Sequence, residues 1–285
     1  MATATATAQV ASPRLSHWTY LLGYLLAVIL AEILIAIPGN NPLVDRPFQP
    51  VGLGLHILLV FTLLFASVFL QARDAVLAPL LVAASLASLV RVFSLAVPRF
   101  PFLAIPAANL LNTIPWLALV SVPLLVSIVA VSYVQRLRPR DLGLGIRRWQ
   151  EIPLQGLIAL TGIPLGLLEY AILKPTAWIP ADTVGAIAVG GLVIFLATGL
   201  SEELIFRGIL LKRAVEALGE RSGLLYVTAL FASLHIFFLS ASDLVFVFAV
   251  GLFYGFVVLN TKNLWGAILS HSLGNVMLYL VAPFH

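Results

Sequence analysis

Apolar residues fall in long runs separated by short polar or proline-marked connectors. The runs cover 18–37, 51–70, 75–97, 110–134, 152–173, 183–211, 221–240, 243–260 and 263–281. Runs of this length match the thickness of a hydrocarbon layer at helical rise, and an open sheet could not satisfy its edges there. The pattern predicts an all-α fold, a polytopic transmembrane helical bundle of eight or nine transmembrane helices. The count turns on whether the seventh and eighth runs are separate. Pro38 and Gly39 stop the first helix sharply, while Pro115 and Pro123 predict kinks or a partial break in the fourth.

These runs divide the chain into four parts. Residues 1–17, rich in Ala and Thr, read as a mobile tail, and 18–134 as the amino-terminal transmembrane helices. Residues 135–151 form a basic cytoplasmic or interfacial connector, and 152–285 a transmembrane region with a polar core at about 183–281. The first run reads as a retained helix, since it lacks a small-x-small cleavage signature.

Composition and charge change the picture in two ways. With 61% hydrophobic and 10% charged residues, a soluble domain is excluded. The net charge of +4 comes with no basic aromatic repeat, so nucleic acid is not an expected partner, whereas membrane lipids are. The charge reads as topology. Arg73, the block of Arg136, Arg138, Arg140, Arg147 and Arg148, the Lys212/Arg213/Arg221 connector and Lys262 fall on one side if the amino terminus is cytoplasmic. Leu142, Leu144, Ile146 and Trp149, interleaved with that block, would suit the headgroup region, although a plain cytoplasmic loop obeying the positive-inside rule is the weightier reading. Arg91, late in the third run, is expected to snorkel. The expected location is the cytoplasmic membrane of a prokaryote. The absence of cysteine excludes a thiolate nucleophile or thiolate metal site, and nothing in the pattern sets an oligomeric state.

The chemistry-bearing residues gather in the carboxyl-terminal third. Glu202 and Glu203 follow an almost uncharged run, where carboxylates are costly unless paired or hydrated. On a helix Glu203 can pair with Arg207, four residues on, while Glu202 points about 100° away and stays free. Phe231 precedes His235 by four residues, and His271 precedes Asn275 by four, so each pair shares a helix face. Each alone reads as packing or bundle glue, as do Glu32 and His56 in the first two runs. Together, Glu202, His235, His271 and Asn275 suggest one hydrated cavity. A carboxylate with a histidine can deprotonate water, and a histidine with an asparagine can donate to a developing oxyanion. Phe231 is expected to pack the wall. Alternatively Glu202, His235 and His271 could hold zinc or another divalent metal, although no H-E-x-x-H is present.

The ordered triplet Glu202-Glu203-x-x-x-Arg207, Phe231-x-x-x-His235 and His271-x-x-x-Asn275 closely resembles the motifs of the CAAX-protease and bacteriocin-processing family of membrane proteases, including type II CAAX prenyl endopeptidases. The resemblance implies an intramembrane endopeptidase acting on a membrane-associated, in some relatives prenylated, peptide or protein. It assigns water activation to Glu202 with His235, oxyanion stabilisation to His271 and Asn275, and supporting roles to Glu203 and Arg207, with no required cofactor. Some relatives act in bacteriocin immunity or as scaffolds, so a non-catalytic membrane interaction protein is the alternative. A transporter is more distant, since no inverted repeat is visible.

Overall fold

The computed structural model describes residues 15–39, 46–96, 114–146 and 148–285. Among them, nine helices are long and apolar enough to cross a membrane. They are α1 (Leu15–Ala36), α2 (Gln49–Leu70), α3 (Leu77–Ala96), α4 (Ile114–Val134), α5 (Trp149–Leu173), α6 (Val184–Leu218), α7 (Glu220–Phe238), α8 (Ala241–Thr261) and α9 (Trp265–Phe284). The seventh and eighth runs are therefore separate helices. Residues 1–14, the prolines at 98, 101 and 106, the start of the fourth run and Arg147 lie outside the described residues.

The faces of these helices follow a bilayer's logic. On α2, Leu58, Phe61, Phe65 and Val68 are exposed, while His56, Val60, Leu63 and Ser67 are buried. Both faces show helical spacing, but the polar groups point inward, because lipid offers apolar side chains no penalty and polar ones no partner.

Several sequence expectations shift. The tail does not reach residue 17. α1 begins at Leu15, and His17 is buried with Nε2 donating to Asp74 Oδ2 at 2.8 Å. α4 is assigned as one helix across Pro123, with Pro115 in its first turn, where a missing N–H is harmless. α6 runs on to Leu218, so Lys212 and Arg213 stand on a helix and only Gly219 links it to α7. The last turns are amphipathic: Leu211, Ala214, Ala217 and Leu218 are buried, while Lys212 and Arg213 are half-buried and Glu216 is exposed. Hydropathy falls there although the helix continues.

The basic connector is also anchored more firmly than a surface loop. Leu142 is buried in the main core and Leu144 packs against it. Gly143, at φ +78°, accepts from Leu264 N at 2.9 Å, and the Leu144 carbonyl accepts from Trp265 Nε1 at 3.0 Å. Leu142 and Leu144 thus pin the connector to the start of α9 instead of entering headgroups, whereas Ile146 and Trp149 are exposed.

α9 is held tightly by α5. A Cβ on Gly166 would overlap the backbone carbonyl of Gly274, so the two backbones touch where neither residue has a side chain. At the front of the same interface Gln155 Oε1 accepts from Gly266 N at 2.7 Å. Helix α6 runs through the protein's centre. Leu204–Leu210 is a π-helix with all seven residues buried, and a second π-helix, Phe195–Leu200, precedes the Ser201–Glu203 turn. Such wide turns often mark functional sites.

Candidate active site

Three helices bring the sequence-selected polar residues to one cavity. Glu202 from α6, Phe231 and His235 from the end of α7, and His271 and Asn275 from α9 all line it. The cavity has a volume of about 200 Å3. Its walls are largely aromatic and aliphatic, so the polar atoms are few and converge.

Glu203 organises the floor. Its side chain is fully buried, and Oε1 accepts from Arg207 Nη1 at 2.8 Å and from His271 Nδ1 at 2.9 Å. The pairing with Arg207 is the one that the spacing predicts, but the bond to His271 links α6 to α9 and is an addition. Arg207 lies with its Cζ 4.3 Å from the Phe231 ring centroid and 5.8 Å from that of Tyr254. Phe231 therefore packs as wall and as a cation–π face.

Glu202 is left without a hydrogen bond among the described residues, and its side chain keeps 21% exposure toward the cavity. Its Oε2 lies 3.9 Å from His271 Nε2, and it shares no hydrogen bond or ion pair with His235. The histidine beside Glu202 is therefore His271.

His235 does not sit within a regular helix as the spacing suggested. The α-helical part of α7 ends at Ser233, and His235 occupies the turn before the short 3-10 segment Ile236–Phe238. Its Nδ1 donates to the Phe231 carbonyl at 3.2 Å, so in the neutral ring Nε2 carries the lone pair. Asn275 is aimed by Thr198, to which its Nδ2 donates at 3.0 Å; Thr198 in turn donates to the Ile194 carbonyl at 2.8 Å.

Sequence reasoning missed Thr198, Tyr254 and Glu169, all of which line the cavity. Thr198 lies four residues before Glu202, a spacing that would have flagged it. Glu169 is a lone carboxylate in an apolar run and carried the same warning as Glu202. Trp178 stacks on Tyr279 at 3.7 Å between ring centroids and joins the cavity wall.

Arg91 is a clear correction. It does not snorkel but turns into the bundle. Its Nε donates to Glu32 Oε1 at 2.7 Å and its Nη2 to the Leu234 carbonyl at 2.6 Å. Glu32 is fully buried and has His56 Nε2 3.2 Å away, in line with the expected bundle-facing role of both.

Among the described residues no three His, Asp or Glu side chains come together as a ligand group. His235 and Glu202 share no hydrogen bond or ion pair, and His271 binds Glu203 through Nδ1.

With this geometry in place, the comparisons are specific. Residues 184–277 match the family model described as "Type II CAAX prenyl endopeptidase Rce1-like". This part of the chain is a CAAX-protease-like domain. It contains every residue of the three motifs and leaves α1–α5 outside. No curated protein and no solved structure matches the chain.

Proposed function

We propose that the protein is an intramembrane endopeptidase that hydrolyses a peptide bond in a membrane-associated peptide or protein, prenylated peptides being one class to test. The observation that carries the proposal is the convergence of Glu202, His235, His271 and Asn275 from three helices on one cavity within the CAAX-protease-like region.

In this reading Glu202 takes a proton from water as the oxygen attacks the substrate carbonyl carbon. The lone pair on His235 Nε2 offers a second acceptor across the cavity. As the carbonyl oxygen becomes negative, the amide of Asn275, held by Thr198, donates to it, and so does His271 Nε2 when the ring carries both protons. Glu203 fixes the His271 ring through Nδ1, and Arg207 balances the charge of Glu203. The collapsing intermediate expels the amine, which receives the proton taken from water. Apolar walls keep bulk water away and strengthen each of these interactions.

The test is mass-spectrometric detection of cleavage by purified protein in lipid, offered prenylated and unprenylated membrane peptides. Wild type, Glu202→Gln and a chelator-treated sample run together. Site-specific cleavage that falls by at least about 10²-fold in Glu202→Gln supports the proposal. Full turnover by a folded Glu202→Gln protein sinks the assignment, and loss to chelator with recovery on zinc sinks the metal-free route. A well-folded wild type that cleaves nothing and retains a stable partner on pull-down favours the interaction-protein alternative.

A further inference from the structure

The polar cluster on α1–α3 has no part in the chemistry above, and it lies wholly outside the matched region. We propose that Arg91, held by Glu32, is a positioning residue for His235, acting through the carbonyl of Leu234; this rests on the hydrolase reading of the site.

The argument begins with the end of α7. A helix leaves its last carbonyls without intrahelical donors. Here the Phe231 carbonyl accepts from Leu234 N and His235 Nδ1, and the Ala232 carbonyl accepts from His235 N. The Leu234 carbonyl has no backbone donor in this turn, and Arg91 Nη2 fills the place at 2.6 Å. Leu234 is the residue directly before His235, so this bond fixes the peptide plane from which His235 projects. The turn is otherwise weakly held. It contains a 3-10 segment and then Leu239 at φ +53°, an uncommon backbone state for a branched side chain.

Arg91 is itself well placed to be rigid. A planar guanidinium can span two acceptors at a fixed angle. Its Nε is taken by Glu32 on α1, and its Cζ stands 5.3 Å from the ring centroid of Phe237, two residues beyond His235. Arg46 approaches the same ring at 5.8 Å. Arg91 also lines the cavity that holds Glu202 and His235. Two amino-terminal helices, α1 and α3, thus set the position of one side chain in the carboxyl-terminal site. A charged pair at this depth is costly to maintain for packing alone, whereas a bidentate anchor has a specific use for it.

The test uses the full chain in lipid with two variants. Glu32→Gln/Arg91→Met removes both charges together, so neither is stranded, and Arg91→Lys keeps the charge but loses the fork. Hydrogen exchange over residues 231–240, with no substrate present, reads the anchor directly. It is expected to quicken about tenfold in the paired variant while residues 220–230 are unchanged. With a cleavable peptide, kcat is expected to fall about tenfold with KM within about twofold, as misplacement of a reacting group predicts. In a His235→Ala background the same pair is expected to cost less than about twofold. Arg91→Lys is expected to show smaller changes in the same three readouts, and it carries the test if the paired variant does not fold.

Unchanged exchange at 231–240 overturns the proposal, as does an equal kcat loss with and without His235. A well-folded wild type that cleaves none of the peptides would instead remove the hydrolase reading, while the exchange result still decides whether Arg91 holds the turn.

Discussion

Glu203→Ala is the most demanding perturbation of the site's floor. It leaves Arg207, 3% exposed and without another carboxylate partner among the described residues, inside the bundle. Stranding one member of a buried ion pair costs about 3–5 kcal/mol. The cation–π contacts of Arg207 with Phe231 and Tyr254 survive the change, which puts the expected cost near about 3 kcal/mol, a shift of roughly a hundredfold in the folding equilibrium. Reversible unfolding in mixed detergent and lipid measures it. The companion variant Glu203→Ala/Arg207→Met removes the stranded charge and is expected to recover at least half of the loss, a non-additivity that contact between the two residues requires. A single variant as stable as wild type, or a double variant as unstable as the sum of the singles, refutes the account of Glu203 as the centre of a buried charge network.

The close approach of α5 and α9 predicts that Gly166→Ala destabilises the protein by about 1–3 kcal/mol, because the added methyl meets only the backbone of Gly274 and cannot be relieved by a rotamer change. Gly185→Ala, where nothing lies within 4 Å, is the control, and equal unfolding of the two would contradict the packing. Asp74, in the turn after α2, accepts from Val76 N, Leu77 N and His17 Nε2. Burial raises its pKa, but the donors at Leu77, His17 and Val76 outweigh that and hold it below the ordinary aspartate value. Its stabilisation is therefore present above about pH 4 and is lost as pH falls through the lowered folded-state value. Asp74→Ala is expected to cost about 1 kcal/mol at neutral pH, with a gap to wild type that narrows on acidification; a gap constant down to pH values near about 3 would refute it.

The spans were legible because lipid rewards uninterrupted apolar length, and that signal survives without any knowledge of packing. It failed at Leu211–Leu218, where an amphipathic helix leaves the apolar layer and mean hydropathy stops reporting on backbone form. The polar residues now lining the cavity were legible as an ordered set, since Glu202, His235, His271 and Asn275 are each expensive in an apolar run. Their pairing was not. Residue spacing fixes which side chains share a helix but not which helices meet, so the bond from His271 to Glu203 and the support of Asn275 by Thr198 emerge only from the fold. Arg91 shows the same limit: position along α3 suggested an interface, while the face it occupies turns it toward Glu32 and Leu234.

The two π-helical stretches of α6 carry a consequence for anyone altering this protein. Each wide turn holds an extra residue, so the chain advances along the axis with its angular phase reset; Ser201 Oγ reaches back five residues, to the Leu196 carbonyl. Removing one residue from Phe195–Leu200 would leave hydropathy almost unchanged, yet it would swing the upstream half of the helix by about 100° relative to Glu202 and Glu203. Between Phe195 and Leu210 the number of residues matters more than their kind, and chimeras or loop grafts through this helix have to conserve length to keep both carboxylates in phase with α9.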